Sequence, residues 1–260
     1  MSKGAKITSP LPIPASVDND SIPTLNAMGF TTKAPDPYSR LFIQHAINHS
    51  SQEYKALEIG AAYGVSTIPV LLHGGHIIAN DIDERHLKIL EHKIPEKYRK
   101  NLHTIAGKFP DEIAFPENSI ACILISRVMH FFDGKTIRTS LKNMYNWLIP
   151  GGKLFIVNNT AYEKYMRNEI TPIYEERKQK LHEWPGYFDN FSDFFLRRHR
   201  ANLPDVMHCL DPDILQRELN AINFNIEKVA FFARPKFLQG VSWDGRERVY
   251  AIASKPVNRW

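Results

Sequence analysis

The feature that most constrains the fold is residues 55–65, where a short apolar run stops abruptly at a turn of small residues. Lys55 to Ile59 is typical of a buried strand, and Gly60-Ala61-Ala62-Tyr63-Gly64 follows before helical spacing resumes. Such a turn lets a ligand approach the backbone closely, and the start of the next helix offers it free N–H groups. Strand, turn and helix in this order predict an α/β sheet with a ligand at the turn.

The spacing of the turn disfavours a dinucleotide fingerprint. That fingerprint needs small residues at three positions of G-x-G-x-x-G, which here are Gly60, Ala62 and Val65. The next glycine comes one residue early, at Gly64. A second apolar strand, from Ile77 to Asn80, ends on Asp81, and an acid there can accept hydrogen bonds from both hydroxyls of a ribose.

Strands alternate with helices through the middle of the chain, which predicts a doubly wound, mostly parallel sheet of seven strands. Asp83, Asp133 and Asp211 each precede a helical pattern and are predicted to cap it. The last two strands have no helix between them, so one of them is expected to run antiparallel. Besides the two strands above, the predicted strands are Leu102 to Ala106, Ile120 to Ile125, Lys153 to Val157, Phe224 to Ala233 and Arg248 to Ser254.

The residue composition divides the chain into an N-terminal arm, a domain and an insertion within that domain. Residues 1–36 contain several prolines and polar residues and are predicted to be a flexible arm without a regular element. Residues 37–260 are predicted to form the domain. Within it, residues 158–210 are rich in aromatic residues and follow a strand end, so we expect a helical lid with its own small core over the ligand crevice.

Composition sets broad limits on location and partners. The net charge of +5 comes from interspersed residues, and the one compact basic run, Arg197 to Arg200, is expected to be a solvated helix face. Nucleic acid is therefore left open but not favoured. Cys122 and Cys209 form no spaced pair, which favours a reducing, cytoplasmic setting. The longest apolar runs are too short for a membrane span.

Four segments in order resemble the class I, Rossmann-like methyltransferases that use S-adenosylmethionine. The resemblance covers roughly Tyr38 to Val157 well and the end of the chain loosely. The segments are Glu58-Ile59-Gly60-Ala61-Ala62-Tyr63-Gly64, Asn80-Asp81-Ile82-Asp83, Pro116-Glu117-Asn118-Ser119 and Trp147-Leu148-Ile149-Pro150-Gly151-Gly152-Lys153-Leu154.

The resemblance implies S-adenosylmethionine as the cofactor and assigns residues to it. Asp81 is expected to bind the ribose, Ile82 to cover the adenine, and Glu58 to order the turn or reach the cofactor's ammonium group. The family usually has an acid where this chain has Lys108, so Phe109 or Asp111 is expected to serve the adenine instead. The complete set of expected cofactor contacts is Glu58, Gly60, Ala62, Tyr63, Gly64, Asp81, Ile82, Lys108, Phe109 and Ser126.

Methyl transfer from a sulfonium needs alignment, exclusion of water and, for a protic acceptor, removal of a proton. No metal is required. His130 is the predicted general base because an imidazole ordinarily titrates near neutral pH. Arg127 is expected to bind an acidic acceptor or to pair with Asp133 or Glu163. Tyr187 and His208 are further candidates for the acceptor pocket, and Arg40 for the cofactor carboxylate.

The class of methyl acceptor is narrowed by the motifs that this chain lacks. The motifs of base-amino and cytosine-carbon methylation are absent after the fourth strand, where the chain reads Ser126-Arg127-Val128-Met129. O- or N-methylation of a small molecule remains the main hypothesis. The alternatives are an RNA methyltransferase, a non-catalytic cofactor-binding module of the same fold, and a nicotinamide-dependent oxidoreductase. The oligomeric state is left open.

Overall fold

The structure, a computed structural model, describes residues 12–17, 20–194, 204–234 and 242–257. The helices are α1 (Pro37–His49), α2 (Thr67–Leu72), α3 (Glu84–Lys93), α4 (Glu96–Arg99), α5 (Gly134–Trp147), α6 (Ile170–Gln179) and α7 (Pro212–Ala221). The strands are β1 (Ser21–Pro23), β2 (Phe30–Thr32), β3 (Lys55–Ile59), β4 (Ile77–Asp81), β5 (Leu102–Ala106), β6 (Ile120–Ser126), β7 (Leu148–Asn159), β8 (Tyr187–Phe188), β9 (Met207–His208), β10 (Asn225–Phe232) and β11 (Arg248–Ser254).

Seven strands form one sheet in the order β10-β11-β7-β6-β3-β4-β5. Five neighbouring strands, β7, β6, β3, β4 and β5, run parallel to one another. β11 pairs antiparallel with both β7 and β10. This confirms the predicted doubly wound sheet and its reversed last strand. The chain leaves β3 toward β4 on one side and later returns to β6 on the other, so a crevice opens between β3 and β6 at their carboxyl ends.

Helices cover both faces of the sheet because β3, β4 and β6 are apolar on both sides. Helices α1, α2 and α3 contribute Phe42, Val70, Leu71 and Leu90 to the core on one face. Helices α5 and α7 contribute Leu141, Met144, Leu215 and Leu219 on the other. No helix in the described residues combines the length and apolarity needed to cross a bilayer.

The aspartates predicted to cap helices do so. Asp83 accepts a hydrogen bond from the backbone N–H of Arg85, Asp133 from that of Thr136, and Asp211 from that of Ile214. Each bond satisfies a donor that the first helical turn leaves free. These side chains therefore set where α3, α5 and α7 begin.

The arm differs from the prediction. Residues 21–32 form an antiparallel hairpin, β1–β2, although no regular element was expected there. The reason is that Asn26 to Gly29 closes a turn, with Ala27 and Gly29 at φ values of +56° and +146°. The hairpin also docks on the domain through the contacts described below.

The insertion after β7 has the predicted aromatic core of its own. Tyr162, Tyr174, Phe188 and Phe191 are buried together with Met166 and Ile170. It contains α6 and the two-stranded β8–β9 pair. The basic run Arg197 to Arg200 lies outside the described residues.

Candidate functional site

A cavity of about 410 Å³ lies where the parallel strands end. Its wall includes Gly60 after β3, Asp81 at the end of β4, and Ser126 at the end of β6. The hairpin β1–β2 contributes a second wall, and the lid insertion contributes Tyr187 and Val206. This is the crevice at the topological switch point, the usual ligand position in an open α/β sheet.

The turn after β3 passes very close to the segment after β6. Gly60 has φ +75°, and a Cβ atom at this position would lie 2.3 Å from Cγ2 of Val128. The N–H groups of Gly60 and Ala61 both donate to the carbonyl oxygen of Asn80 at 2.9 Å. Glycine is therefore required here by backbone conformation and by space.

Ala62 lies in the left-handed region with φ +45°. Its N–H donates to Oδ2 of Asp81 at 2.8 Å. This hydrogen bond ties the turn to the end of β4 and offsets part of the cost of the conformation.

Asp81 is 5% exposed and faces the cavity. Besides Ala62, it accepts hydrogen bonds at Oδ1 from the N–H of Asp83 at 2.9 Å and from Nδ1 of His86 at 3.0 Å. A carboxylate has about four acceptor positions, so one remains on Oδ2. That Asp81 binds the ribose stays a prediction, and the structure leaves one of its acceptor positions open for a hydroxyl group.

His86 links the carboxylate to the hairpin, and the sequence reasoning missed it. Its Nε2 accepts the backbone N–H of Leu25 at 3.0 Å, so the proton is on Nδ1, which donates to Asp81. The ring is 1% exposed. A histidine five residues after a strand-end acid has no motif that would have revealed this role.

Two more contacts hold the hairpin over the site. The Tyr63 hydroxyl donates to the carbonyl oxygen of Pro23 at 3.0 Å, and Nη2 of Arg85 donates to that of Leu25 at 3.1 Å. The hairpin residues that line the cavity are Thr24, Asn26, Met28, Gly29, Phe30 and Thr31. The arm is therefore part of the site.

Replacing His86 by leucine is expected to loosen the hairpin, because Leu25 loses its acceptor and Asp81 loses a donor. We expect amide hydrogen exchange at Leu25 to become at least fivefold faster, corresponding to the roughly 1 kcal/mol of one hydrogen bond. Lys88→Leu, on the exposed face of α3, is the control. Equal exchange rates at Leu25 in His86→Leu and the parent protein would contradict the proposed link.

Three expected cofactor contacts do not reach the cavity wall. Glu58 is buried and accepts a hydrogen bond from the Thr67 hydroxyl at 2.5 Å, and burial raises the pKa of its carboxyl to about 7. Tyr63 is 2% exposed and faces the hairpin. Gly64 packs on α3, since a Cβ there would lie 2.2 Å from Cδ1 of Leu90. The structure thus corrects direct contact to support of the turn, which for Glu58 was one of the expected roles.

The residues expected to contact the adenine differ in how they meet the cavity. Ile82 is 49% exposed at the cavity, and Phe109 is buried but contributes to the wall. Lys108 pairs with Asp111 at 3.3 Å, so both charges are engaged at the exposed rim. Phe109 and Ile82 are the apolar surfaces available to a base, and Asp111 is the acid nearest in sequence.

On the opposite side, β6 brings Ser126, Arg127 and His130 to the cavity. Oγ of Ser126 and Nδ1 of His130 are buried and have no hydrogen-bond partner among the described residues. Burial, together with the charges of Arg248 and Arg127, lowers the pKa of His130 to about 3. Its imidazole is neutral at pH 7, so one of its two ring nitrogens carries a lone pair.

Of the two remaining candidates for the acceptor pocket, Tyr187 and His208, one lines the cavity and the other does not. Tyr187 lines the cavity. His208 does not: its Nδ1 hydrogen-bonds the carbonyl oxygen of Phe132 at 2.8 Å, and its ring packs between Trp184 and Tyr187. This corrects the expected contact to support of the loop after β6. Arg40 is also outside the cavity wall, with its Nε bound to the carbonyl oxygen of Pro35.

Buried histidines give the fold a defined pH dependence. Burial lowers the pKa of His45 and His208 to about 4, and that of His130 to about 3. The unfolded chain therefore binds more protons below about pH 6.5, and the free energy of unfolding falls with the pH. Glu58 has the opposite effect between pH 7 and its ordinary pKa of 4.5, since its pKa is raised.

His76, whose pKa burial also lowers, acts in the same direction as these three histidines. Because four histidines oppose one glutamate, we expect a lower urea midpoint at pH 5 than at pH 7.5. His208→Leu removes one of the groups and should reduce this difference, whereas exposed His92→Leu should leave it unchanged. A urea midpoint that rises toward pH 5 would contradict the prediction.

Comparison with known proteins agrees with this architecture. Residues 56–152 match the family described as a methyltransferase domain. No curated protein sequence matches the chain. A methyltransferase from Methanosarcina mazei, described as S-adenosylmethionine-dependent, has a TM-score of 0.62 and 16% identity, covering 86% of this chain and 100% of that one. One from Mesorhizobium loti has a TM-score of 0.58 and 15% identity, covering 84% and 97%.

A third solved structure is the 1,6-didemethyltoxoflavin-N1-methyltransferase of Burkholderia thailandensis, with S-adenosylhomocysteine bound. Its TM-score is 0.58 at 16% identity, covering 85% of this chain and 77% of that one. At such identities the structural likeness shows the fold, while the sequence match identifies the domain. Residues 56–152 therefore match a methyltransferase domain, and the chain has the Rossmann-like fold of S-adenosylmethionine-dependent methyltransferases.

Proposed function

We propose that this protein transfers a methyl group from S-adenosylmethionine to an oxygen or nitrogen atom of a small molecule. The observation that carries the proposal is the buried Asp81 carboxylate, which faces the cavity beside the Gly60 turn within the matched domain. A cavity of about 410 Å³ is in the range of pockets that bury small ligands.

The residues present suit the cofactor. Asp81 keeps one acceptor position for a ribose hydroxyl, and Ile82 and Phe109 offer apolar surfaces for the adenine. The turn at Gly60 to Ala62 lets the backbone approach the cofactor's methionine half. Ser126 has a hydroxyl oxygen without a partner among the described residues, which fits a polar ligand beside it.

The bound cofactor would supply an electrophilic methyl group that a lone pair of the acceptor displaces in line from sulfur. The chain's part is to hold the acceptor, exclude water and receive a proton. Nδ1 of His130 is the atom proposed to accept a hydrogen bond from the acceptor's O–H or N–H. With a pKa of about 3, His130 is a weak proton acceptor until an added negative charge raises that pKa.

Two solved neighbours support a small acceptor at the level of the fold. One is the didemethyltoxoflavin N1-methyltransferase described above, and another is described as a geranyl diphosphate methyltransferase, with a TM-score of 0.58 and 10% identity. The enclosure of the crevice by both the hairpin and the lid residues Tyr187 and Val206 also favours a ligand that fits inside. We further propose a reducing, cytoplasmic setting, supported by the two buried free thiols.

Calorimetry with S-adenosylmethionine, S-adenosylhomocysteine, NAD and NADP tests the cofactor. We expect micromolar binding of the first two only; binding of a nicotinamide dinucleotide alone would overturn the proposal. A panel of small acceptors assayed for S-adenosylhomocysteine formation tests turnover. Cofactor binding without turnover on any of them would favour the non-catalytic module, and RNA binding that weakens steeply with salt would favour an RNA substrate.

A further inference from the structure

Arg127 is held at the cavity in a conformation that few residues adopt. It follows β6 directly and has φ +56°, the left-handed region, while its N–H donates to the carbonyl oxygen of Val157 at 2.7 Å. Such a conformation is unfavourable for a residue with a Cβ atom and persists only where the surrounding structure holds it. The backbone therefore directs this side chain to the cavity at an energetic cost.

The guanidinium group of Arg127 has no carboxylate partner among the described residues. Its one hydrogen bond there runs from Nη2 to Oγ1 of Thr32, in the hairpin, at 3.3 Å. The two acids expected to pair with it are engaged elsewhere: Asp133 caps α5, and Glu163 binds Arg248 and Arg234.

Both cations and acids surround Arg127. Arg234 and Arg248 lie near it and share the carboxylate of Glu163 in ion pairs. The charges of Asp36 and Asp20 also act on Arg127, but neither acid forms an ion pair with it, and Asp36 caps α1. Of the three arginines, Arg127 is therefore the one without an ion pair among the described residues, and it lines the cavity.

Even partial burial of a cation that has no ion pair is unfavourable unless a ligand compensates it, and Arg127 is half-buried. Burial and the charge of Arg248 lower the pKa of Arg127 only to about 10, so the group stays charged at neutral pH. A guanidinium fork with free N–H groups matches the paired oxygens of a carboxylate or a phosphate.

We propose that the methyl acceptor carries an oxyanion, a carboxylate or phosphate group, that binds the Arg127 guanidinium while the methyl-accepting atom lies at His130. This inference rests on the proposed function and narrows its acceptor to an anionic small molecule.

Anion binding has a consequence for His130. The charge of Arg127 is one cause of the low pKa of His130, so neutralising it raises that pKa. The imidazole then becomes a stronger proton acceptor when the correct acceptor is bound. Recognition of the anion and removal of the proton are coupled through one arginine.

The cofactor has a carboxylate of its own, which is the competing source of the same chemistry. The experiment therefore measures two kinds of binding by calorimetry at constant ionic strength. Inorganic phosphate and benzoate are titrated into the protein saturated with S-adenosylhomocysteine. S-adenosylhomocysteine and its decarboxylated analogue are titrated into the free protein. The variants are Arg127→Gln, Arg127→Lys and, as a control of equal charge change, exposed Arg99→Gln.

We expect at least one of the two anions to bind the saturated parent protein with a millimolar Kd. Arg127→Gln should weaken this binding at least tenfold, Arg127→Lys should restore part of it, and Arg99→Gln should not change it. S-adenosylhomocysteine affinity should change less than threefold in all variants, and this value also reports whether each variant is folded.

Two results would overturn the inference. If S-adenosylhomocysteine binds but neither anion does, the acceptor site is not anionic although the proposed function stands. If Arg127→Gln weakens S-adenosylhomocysteine but not its decarboxylated analogue, Arg127 serves the cofactor carboxylate. If S-adenosylhomocysteine does not bind the parent protein, the proposed function itself fails.

Discussion

Replacing Asp81 by asparagine is expected to weaken S-adenosylhomocysteine binding by roughly 10–100-fold, about 1–3 kcal/mol. Asp81 is surrounded by three donors, the N–H groups of Ala62 and Asp83 and Nδ1 of His86. An amide group can replace only one of the two oxygens, so its NH₂ must oppose at least one donor. The substitution therefore removes the charge from the ribose site and also loosens the turn after β3.

Calorimetry of the variant measures this loss, and Asp83→Asn is the matched control. Asp83 caps α3, and asparagine caps a helix about as well as aspartate. Its ion pair with Arg85, which is 49% exposed, contributes roughly 0–1 kcal/mol. Asp83→Asn should therefore keep its affinity for S-adenosylhomocysteine. Equal affinities of Asp81→Asn and the parent protein would show that the cofactor lies elsewhere.

Gly60→Ala is expected to abolish measurable cofactor binding and to destabilise the fold by more than about 2 kcal/mol. The left-handed conformation alone costs an alanine about 1–2 kcal/mol. The added methyl group would lie 2.3 Å from Val128, so the turn or the segment after β6 must move. Both of these segments line the cavity, and urea unfolding together with calorimetry records the two effects.

Gly74→Ala is the control that has the unfavourable backbone conformation of Gly60→Ala without its steric clash. Gly74 has φ +86°, and no described atom lies within 4 Å of the position its Cβ would take. This variant should lose the conformational 1–2 kcal/mol and keep full cofactor affinity. If Gly60→Ala bound S-adenosylhomocysteine as tightly as Gly74→Ala does, close approach at Gly60 would not matter for binding.

The sheet was predictable because local patterns and long-range packing agree there. β3 and β5 have the predicted bounds, and the caps Asp83, Asp133 and Asp211 begin helices as expected. A strand buried on both faces must be apolar throughout, and a helix start needs a side-chain acceptor, so both leave a mark within a few residues. The order of the strands was not predicted, since spacing along the chain does not show which strands are neighbours.

The site was less predictable because its walls come from distant segments. Leu25 meets His86 across 61 residues, and Arg127 meets Thr32 across 95. A polar, proline-containing arm has no periodic signal, and its order depends on acceptors that the folded domain supplies. Tyr63 and His208 were expected to contact ligands because their partners, which lie on distant segments, could not be read from the local sequence. In the structure the polar atoms of both side chains bind backbone carbonyls on those segments.

The imidazole of His86 joins two parts of the candidate site. One nitrogen binds the Asp81 carboxylate, and the other accepts the amide of Leu25 in the hairpin. A nucleoside bound as proposed would lie beneath that hairpin, so its release would require the Leu25 hydrogen bond to break. We therefore expect cofactor release and opening of the hairpin to occur together and to limit turnover.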